Sequence, residues 1–516
     1  MDIIFGILQA LGLAICLPAS GWRLLHYFQL ESYQLPGFFR SVRRSAHKTL
    51  IPGVAMAAVG TAAAALHAPG LVCLALEAAA AALLFVQARK EKLKKPFVVT
   101  ERVKRLIAMH AGTAFVIALA AAAVSPVLLY LLPAFEAALI ALAAVCAQPI
   151  EKHINQQFVE DAKKRLESNP NLIRIGITGS YGKTSTKFLL RDILSVKYNV
   201  LATPSSFNTT MGVTRVIREQ LTPAHQVFIA EMGARHVGDI RELVDLVHPT
   251  IGLLTSVGPQ HLDTFGTIER IKNTKYELID GLPENGTAIL ARDGAICEEL
   301  YARCPLANKY MPGDLVRASD MEWGPFGTRF TLEDTKTGER ARCETRLLGE
   351  HSIANLLLCC TAARVLGMTL PEIAQGVARC QPVEHRLELI SGGAGVTIID
   401  DAFNANPVGA QAALRVLKNF PGRRIIITPG MVELGGEEAA FNRAFGEQMA
   451  QSADVAILVG KKHTRPIVDG LLEKGFPQEQ IHVVSSLEES TGVLHAMMRA
   501  GDVVLYENDL PDNYSE

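Results

Sequence analysis

The segment Thr178-Gly179-Ser180-Tyr181-Gly182-Lys183-Thr184-Ser185-Thr186 sets a lysine and a run of hydroxyls among glycines. Residues 172–177 before it read as a buried strand, and residues 187–196 after it read as a helix. Strand, glycine loop and helix are the context in which backbone N–H groups converge on phosphate oxygens at a positive helix N-terminus. Lys183 is placed to reach the β- and γ-phosphates of a nucleotide, and Thr184 to offer a hydroxyl to Mg²⁺. Gly179, Ser180, Gly182 and Ser185 complete the expected nucleotide cradle. The strict phosphate-loop spacing would put a glycine at Ile177; Gly176 stands one place early.

Further candidates follow at strand ends. Residues 227–230 read as a strand ending at Glu231, and a carboxylate at the C-terminal end of a strand beside a phosphate crevice can hold Mg²⁺. A solvated loop acid is the alternative reading. Residues 253–256 lead into Gly258-Pro259-Gln260-His261-Leu262-Asp263, where a loop histidine is structural or a ligand. Lys275 lies in Asn273-Thr274-Lys275-Tyr276-Glu277, where a surface lysine is the plain reading. The hydroxyls and Asn208 of residues 204–212 touch an acceptor substrate or cap the next helix.

With Gly349-Glu350-His351-Ser352-Ile353-Ala354-Asn355, Pro382-Val383-Glu384-His385-Arg386-Leu387-Glu388 and Asp400-Asp401-Ala402-Phe403-Asn404-Ala405-Asn406-Pro407, these segments resemble the Mur ligases over about residues 170–516. These are the amide-forming enzymes of peptidoglycan precursor synthesis, with relatives such as folylpolyglutamate synthetase. The chain is most similar to the branch that adds D-alanyl-D-alanine to a muramoyl tripeptide. The resemblance implies that Glu231 and His261 bind metal, and that Lys275 carries a carbamate, formed from CO₂, that helps place a second Mg²⁺. It further implies that Asn355 contacts adenine, Arg386 reaches the phosphates, and Asp401 binds ribose. Asn404 and Asn406 would lie near the nucleotide or shape the turn. The implied catalytic set is Lys183, Lys275, His261 and Arg386. Departures are Ser352 for Asn, His385 for Gly, Ala402 for Ser and Phe403 for Tyr.

Positioning these residues takes an α/β fold: a P-loop ATPase domain over residues 151–382 and a Rossmann-like domain over 383–516. The latter shows strand patterns at 396–399, 424–428, 455–459, 482–484 and 503–506. Residues 1–150 read as a helical membrane domain with five candidate spans at 3–17, 50–67, 70–86, 106–124 and 127–146. The last two are divided at Ser125-Pro126 or, alternatively, at Leu132-Pro133. The loops after the first and third spans carry Arg23, Arg40, Arg43, Arg44, Lys48 and then Arg89, Lys90, Lys92, Lys94, Lys95, Arg102, Lys104, Arg105. The alternate loops carry no Lys or Arg, which places the N-terminus outside and the catalytic domains in the cytoplasm of a multi-pass cell-membrane protein. Residues 30–44 form an interfacial helix or a loop, and Glu77 and Glu136 inside the spans are functional or pack between helices.

A formal charge of −1 over 516 residues gives no argument for a nucleic-acid partner. Nine cysteines without a C-x-x-C pair fit reduced thiols. The expected function is a membrane-anchored ligase that uses ATP and two Mg²⁺ to join a carboxylate, lipid- or membrane-linked, to an amino acid or dipeptide amine through an acyl phosphate. The rival readings are a poly-γ-glutamate-type synthetase and a membrane scaffold with an ATP-sensing ligase domain.

Overall fold

The computed structural model describes residues 2–91, 96–205, 207–260, 262–393, 395–402, 406–432 and 434–509. The chain divides into two compact units, Met1–Gln157 and Phe158–Glu516.

The first unit is helical: α1 (Asp2–Ser20), α2 (Trp22–Leu30), α3 (Leu35–Arg44), α4 (Ala46–Thr49), α5 (Ile51–Ala65), α6 (Gly70–Lys90), α7 (Glu101–Val124), a 3-10 segment (Pro126–Phe135) and α8 (Glu136–Glu167). Ala10, Leu13, Ala14 and Leu17 of α1 pack with Ala114 and Ala118 of α7. Small residues at such a seam let two helices approach closely. Among the described residues, four helical stretches are long and apolar enough to cross a membrane: Ala46–Ala65, Gly70–Lys90, Glu101–Val124 and Pro126–Glu167. A fifth is reached if Gly6–Ser20 and Trp22–Leu30, bent by 50°, count as one.

Three local expectations change. Ser125-Pro126 is not a tight turn between two spans; ten residues of 3-10 helix intervene, and the α-helix resumes at Glu136. Pro126 and Pro133 each lack a backbone donor, which disfavours a continuous α-helical ladder there. Residues 30–44 contain a true helix, α3, which buries Phe38 and Val42 while its last turn carries Arg43 and Arg44. Glu77 and Glu136 are both buried, and Glu136 Oε1 lies 3.1 Å from His110 Nε2. Lys92, Lys94 and Lys95 of the basic loop lie outside the described residues.

The second unit carries two parallel-rich sheets. The first comprises β1 (Ile173–Thr178), β2 (Val200–Ala202), β3 (Val227–Glu231), β4 (Ile251–Leu254), β5 (Thr287–Leu290) and β6 (Asn308–Tyr310), in the order β2-β3-β1-β4-β5-β6. Its pairings are all parallel. Between these strands run α9 (Lys183–Leu194), α10 (Thr210–Gln220), α11 (Asp239–Val247), α12 (Leu262–Phe265), α13 (Ile268–Asp280) and α14 (Gly294–Arg303). The near-continuous apolar runs of β1 and β3 fit strands covered on both faces. An antiparallel sheet of β7 (Val316–Gly324), β8 (Gly327–Asp334) and β9 (Arg340–Thr345) follows, then α15 (Glu350–Val365) and α16 (Leu370–Arg379).

The C-terminal sheet contains β10 (Glu388–Ser391), β11 (Thr397–Asp401), β12 (Arg424–Thr428), β13 (Val455–Val459), β14 (Ile481–Val484) and β15 (Val503–Glu507), ordered β10-β11-β15-β12-β13-β14. Only β10 pairs antiparallel. The helix α17 (Pro407–Lys418) follows β11. The expected strands are present with ends moved by a residue or two, whereas β2 and β5 to β10 were not expected. The phosphate-loop helix begins at Lys183, earlier than its apolar pattern implies, because Gly182 takes a left-handed φ of +79° and turns the chain into the helix.

Candidate active site

The loop after β1 is pinned from behind. Ser180 N donates to Ser256 O at 2.7 Å, and Ser180 Oγ donates to Gly258 O at 2.9 Å. Thr255 Oγ1 donates to Tyr181 O at 2.6 Å. The loop after β4 thus fixes the glycine turn. A side chain at Gly179 would collide with Thr255, and one at Gly182 would bring a Cβ within 2.7 Å of Asn355 Oδ1. Lys183 Nζ donates to Gly179 O and Ser180 O, each at 2.8 Å. Its ammonium therefore sits inside the curl that the sequence assigned to phosphate. Burial, opposed by Glu231 and assisted by Arg386, holds the Lys183 ammonium down at about 8.

Glu231, at the end of β3, lies beside this loop and is buried. Its Oε1 accepts from Thr184 Oγ1 at 3.1 Å and from Asn208 Nδ2 at 3.0 Å. Its Oε2 accepts from Lys187 Nζ at 2.9 Å, and Lys187 also donates to Ser205 O. Thr184 and Glu231 therefore bring two hard oxygen donors together at the mouth of the loop. That suits Mg²⁺, which uses one or two protein oxygens together with substrate phosphates rather than a closed protein cage. Thr209, by contrast, caps α10 by accepting from Gly212 N at 3.3 Å. Lys275 on α13 is 2 % exposed, and burial foremost, with the nearby Lys183 charge, drives its amine well below the ordinary lysine range. Its neighbour Glu277 is a structural cap, accepting from Gly238 N and Arg241 N.

The opposite wall comes from the C-terminal domain. Arg386 is half-buried; desolvation lowers its pKa, while the charges of Asp401 and Glu231 oppose that shift. Asp401 Oδ1 accepts from Leu387 N at 3.1 Å. Burial raises its carboxyl to about 6, against the pull of that amide and of Arg386. Asp401 and Glu507 stand opposite each other in the β11–β15 register. Burial and the Asp401 charge push the Glu507 carboxyl well above its ordinary carboxylate range. Asn406 accepts from Gly409 N at 2.9 Å as the cap of α17. His385 adopts φ +60°, a region that favours glycine, and its Nδ1 lies 2.8 Å from Asp400 Oδ2. That bond raises the His385 pKa.

One cavity of about 580 Å³ gathers these groups: Lys183, Thr184, Asn355, Arg386, Asp401 and Glu507 all line it. Its size and mixed polar lining suit a nucleotide. Gly182 and Ser185 also border it. His261 and Asn404 lie outside the described residues. Among the described residues, no group of three or more His, Cys, Asp or Glu side chains is arranged to hold a metal.

Lys187 and Glu507 were missed as site residues, and Asn208, expected against an acceptor or as a cap, instead donates to Glu231. Lys187 had a legible signal, since it follows Lys183 by four residues on one helix face. Glu507 ends its strand as Glu231 does, so the rule that selected one could have selected the other.

Residues 177–363 match the family described as the Mur ligase middle domain, and residues 385–506 match the Mur ligase glutamate ligase domain. The chain is 31% identical over 335 residues to the UDP-N-acetylmuramoyl-tripeptide–D-alanyl-D-alanine ligase of Escherichia coli (strain K12), covering 62% of this chain and 73% of that protein. It is 32% identical over 360 residues to the enzyme of the same name from Mycobacterium bovis, covering 64% and 69%. Among solved structures, the MurF ligase of Thermotoga maritima in complex with ADP superposes with a TM-score of 0.61 at 25% identity, covering 69% of this chain and 80% of that one. MurF from Acinetobacter baumannii gives 0.62 at 25% identity, covering 70% and 78%.

Proposed function

We propose a function from one premise: this chain belongs to the Mur ligase family. It is an ATP-dependent amide-bond ligase of peptidoglycan precursor synthesis. Beyond that, the reading is of a membrane-anchored ligase that activates a carboxylate as an acyl phosphate.

The observation that carries it is the single cavity bringing Lys183 and Thr184 together with Arg386 and Asp401. Loop amides and the Lys183 ammonium hold the nucleotide phosphates, and the Asp401–Glu507 pair faces the ribose. Thr184 and Glu231 would hold Mg²⁺, which when bound would neutralise phosphate charge. A substrate carboxylate oxygen attacks the γ-phosphorus, the bond to the β,γ-bridging oxygen breaks, and ADP leaves. Arg386 stabilises charge on the transferring group. The amine nitrogen then attacks the acyl carbon, loses a proton, and the tetrahedral adduct expels phosphate. Lys275, whose amine burial drives well below the ordinary lysine range, would take up CO₂ with loss of one proton and so supply an anion beside the phosphate loop. Enclosure by both domains excludes the water that would hydrolyse the acyl phosphate.

Membrane anchoring is supported by the four or five apolar stretches and by exposed side chains such as Leu66 at 82% and Val124 at 80%. The N-terminus is outside and the ligase domains are cytoplasmic. The carboxylate substrate is then lipid-linked, and the amine is an amino acid or dipeptide.

The test uses the full chain in bilayers. ADP release and amide product are followed with D-alanyl-D-alanine and either soluble UDP-muramoyl tripeptide or its lipid-linked counterpart. The reading expects amide from the lipid-linked acid. Equal turnover of the soluble acid removes the lipid-linked proposal, and no amide with either acid removes the proposed substrate pair.

A further inference from the structure

In the first unit, α7 and α8 change character at the same level. α7 opens with Glu101, Arg102, Lys104 and Arg105 and turns apolar from Leu106. Past Glu136, α8 is apolar until Gln148, Glu151 and Lys152. Arg105 clamps Glu151 with two hydrogen bonds of 2.6 and 2.9 Å, tying the charged ends together. Beside that clamp lies a cavity of about 350 Å³. Its lining has two halves. By chemistry, Phe28, Leu106, Ala144 and Val145 are apolar; Arg102, Lys152, Gln148, Asn155 and Glu151, the last 3.8 Å from Arg102, are polar.

The charged half is held in place. The Arg102 guanidinium lies 3.9 Å from the Tyr33 ring centroid, and Tyr33 packs edge-on against Phe28. Ser32 and Tyr33 both take left-handed backbone, at φ +53° and +63°, to turn α2 into α3 and present that ring. Strain of this kind in non-glycine residues persists where the surroundings impose it, and it clusters at ligand clamps. Lining and clamp supply three cations, Arg102, Arg105 and Lys152, against the one carboxylate of Glu151.

We propose that this cavity binds an amphipathic anion: a phosphate-bearing headgroup against Arg102 and Lys152, with a long apolar tail leaving past Phe28, Leu106 and Ala144. This rests on the membrane-anchored reading above and gives its lipid-linked substrate a chemical class. Arg102 meets the phosphate through a guanidinium already stacked on Tyr33, so little side-chain freedom remains to be lost on binding. The apolar wall selects a chain-bearing phosphate over a free one.

The experiment uses the full chain in phosphatidylcholine nanodiscs and measures retention of radiolabelled geranylgeranyl diphosphate. Inorganic pyrophosphate, geranylgeraniol and phosphatidylglycerol serve as competitors. Wild type retains the probe, and each of the three competitors displaces it at least tenfold less well than unlabelled probe. Arg102→Gln with Lys152→Gln weakens retention at least tenfold. Ala144→Trp, which fills the apolar half, also weakens it at least tenfold, and both variants keep MgATP binding. Wild-type affinity in both variants overturns the proposal. So does equal displacement by pyrophosphate, which marks a free-anion site, or by phosphatidylglycerol, which marks a general anionic-lipid contact. Loss of MgATP binding in wild type with probe retention intact would fault the ligase reading alone.

Discussion

Lys187 Nζ lies 2.9 Å from Glu231 Oε2, and both side chains are buried. The pair divides the carboxylate. One oxygen is held by a fixed cation, while the other faces Thr184 and Asn208. Lys187 thus orients the acid proposed to hold metal.

Removing the cation leaves a buried charge uncompensated. Lys187→Met is expected to destabilise the ligase domains by about 3–5 kcal/mol. Adding Glu231→Gln should restore more than half of that loss while Mg²⁺-dependent turnover stays low. Thermal unfolding and turnover on both variants check this. A Lys187→Met protein as stable as wild type would remove the orienting role.

Gly182 has φ +79° and no room for a Cβ beside Asn355. Gly182→Ala is therefore strained in its backbone and crowded at Asn355 at once. The Michaelis constant for ATP should rise at least tenfold. Asn355→Ala in the same chain relieves the crowding but leaves the φ and removes the expected adenine contact, so it should not restore the wild-type Michaelis constant.

His385 is both strained and paired. Its bond to Asp400 raises its folded pKa, so its stabilising contribution is complete below the unfolded value of about 6.5 and disappears as pH rises through the folded value. Half the side chain is exposed, which keeps that contribution small. His385→Gly should thus be less stable than wild type near pH 5 and equal or more stable near pH 9, where relief of the left-handed strain remains. Unfolding midpoints across that range measure the crossing.

Lys275 has the environment a carbamate requires, because only the neutral amine reacts with CO₂. Lys275→Ala should lose at least a hundredfold in turnover and regain activity with added formate or acetate. Full activity of the variant, or no rescue, would leave the lysine a packing role.

Much of this site was legible because its chemistry follows short local patterns. The run from Thr178 to Thr186 between a strand and a helix places Lys183 and Thr184, and strand-end acids place Glu231 and Asp401. Register across strands was not legible. The pairing of Asp401 with Glu507 depends on β15 lying next to β11, a relation no local pattern carries. β7 to β9 were missed because their alternation is broken by charged residues and by an irregularity between Ser319 and Glu322. In the helical unit, apolar length marked the long apolar helices, but the 3-10 segment arises from two prolines seven residues apart, and apolarity does not register them. The tolerance of His385 in a glycine conformation follows from Asp400, fifteen residues on.

The account stands on nucleotide phosphates seated around Lys183. The most direct measurement is calorimetric binding of a non-hydrolysable ATP analogue with Mg²⁺ to the full chain, in wild type and Lys183→Met, from pH 6 to 9.5. The account predicts one site per chain, an affinity that falls as pH rises through about 8 where the free ammonium loses its proton, and at least hundredfold weaker binding in the variant. Equal affinity in Lys183→Met, or no binding by wild type at any pH, would contradict it.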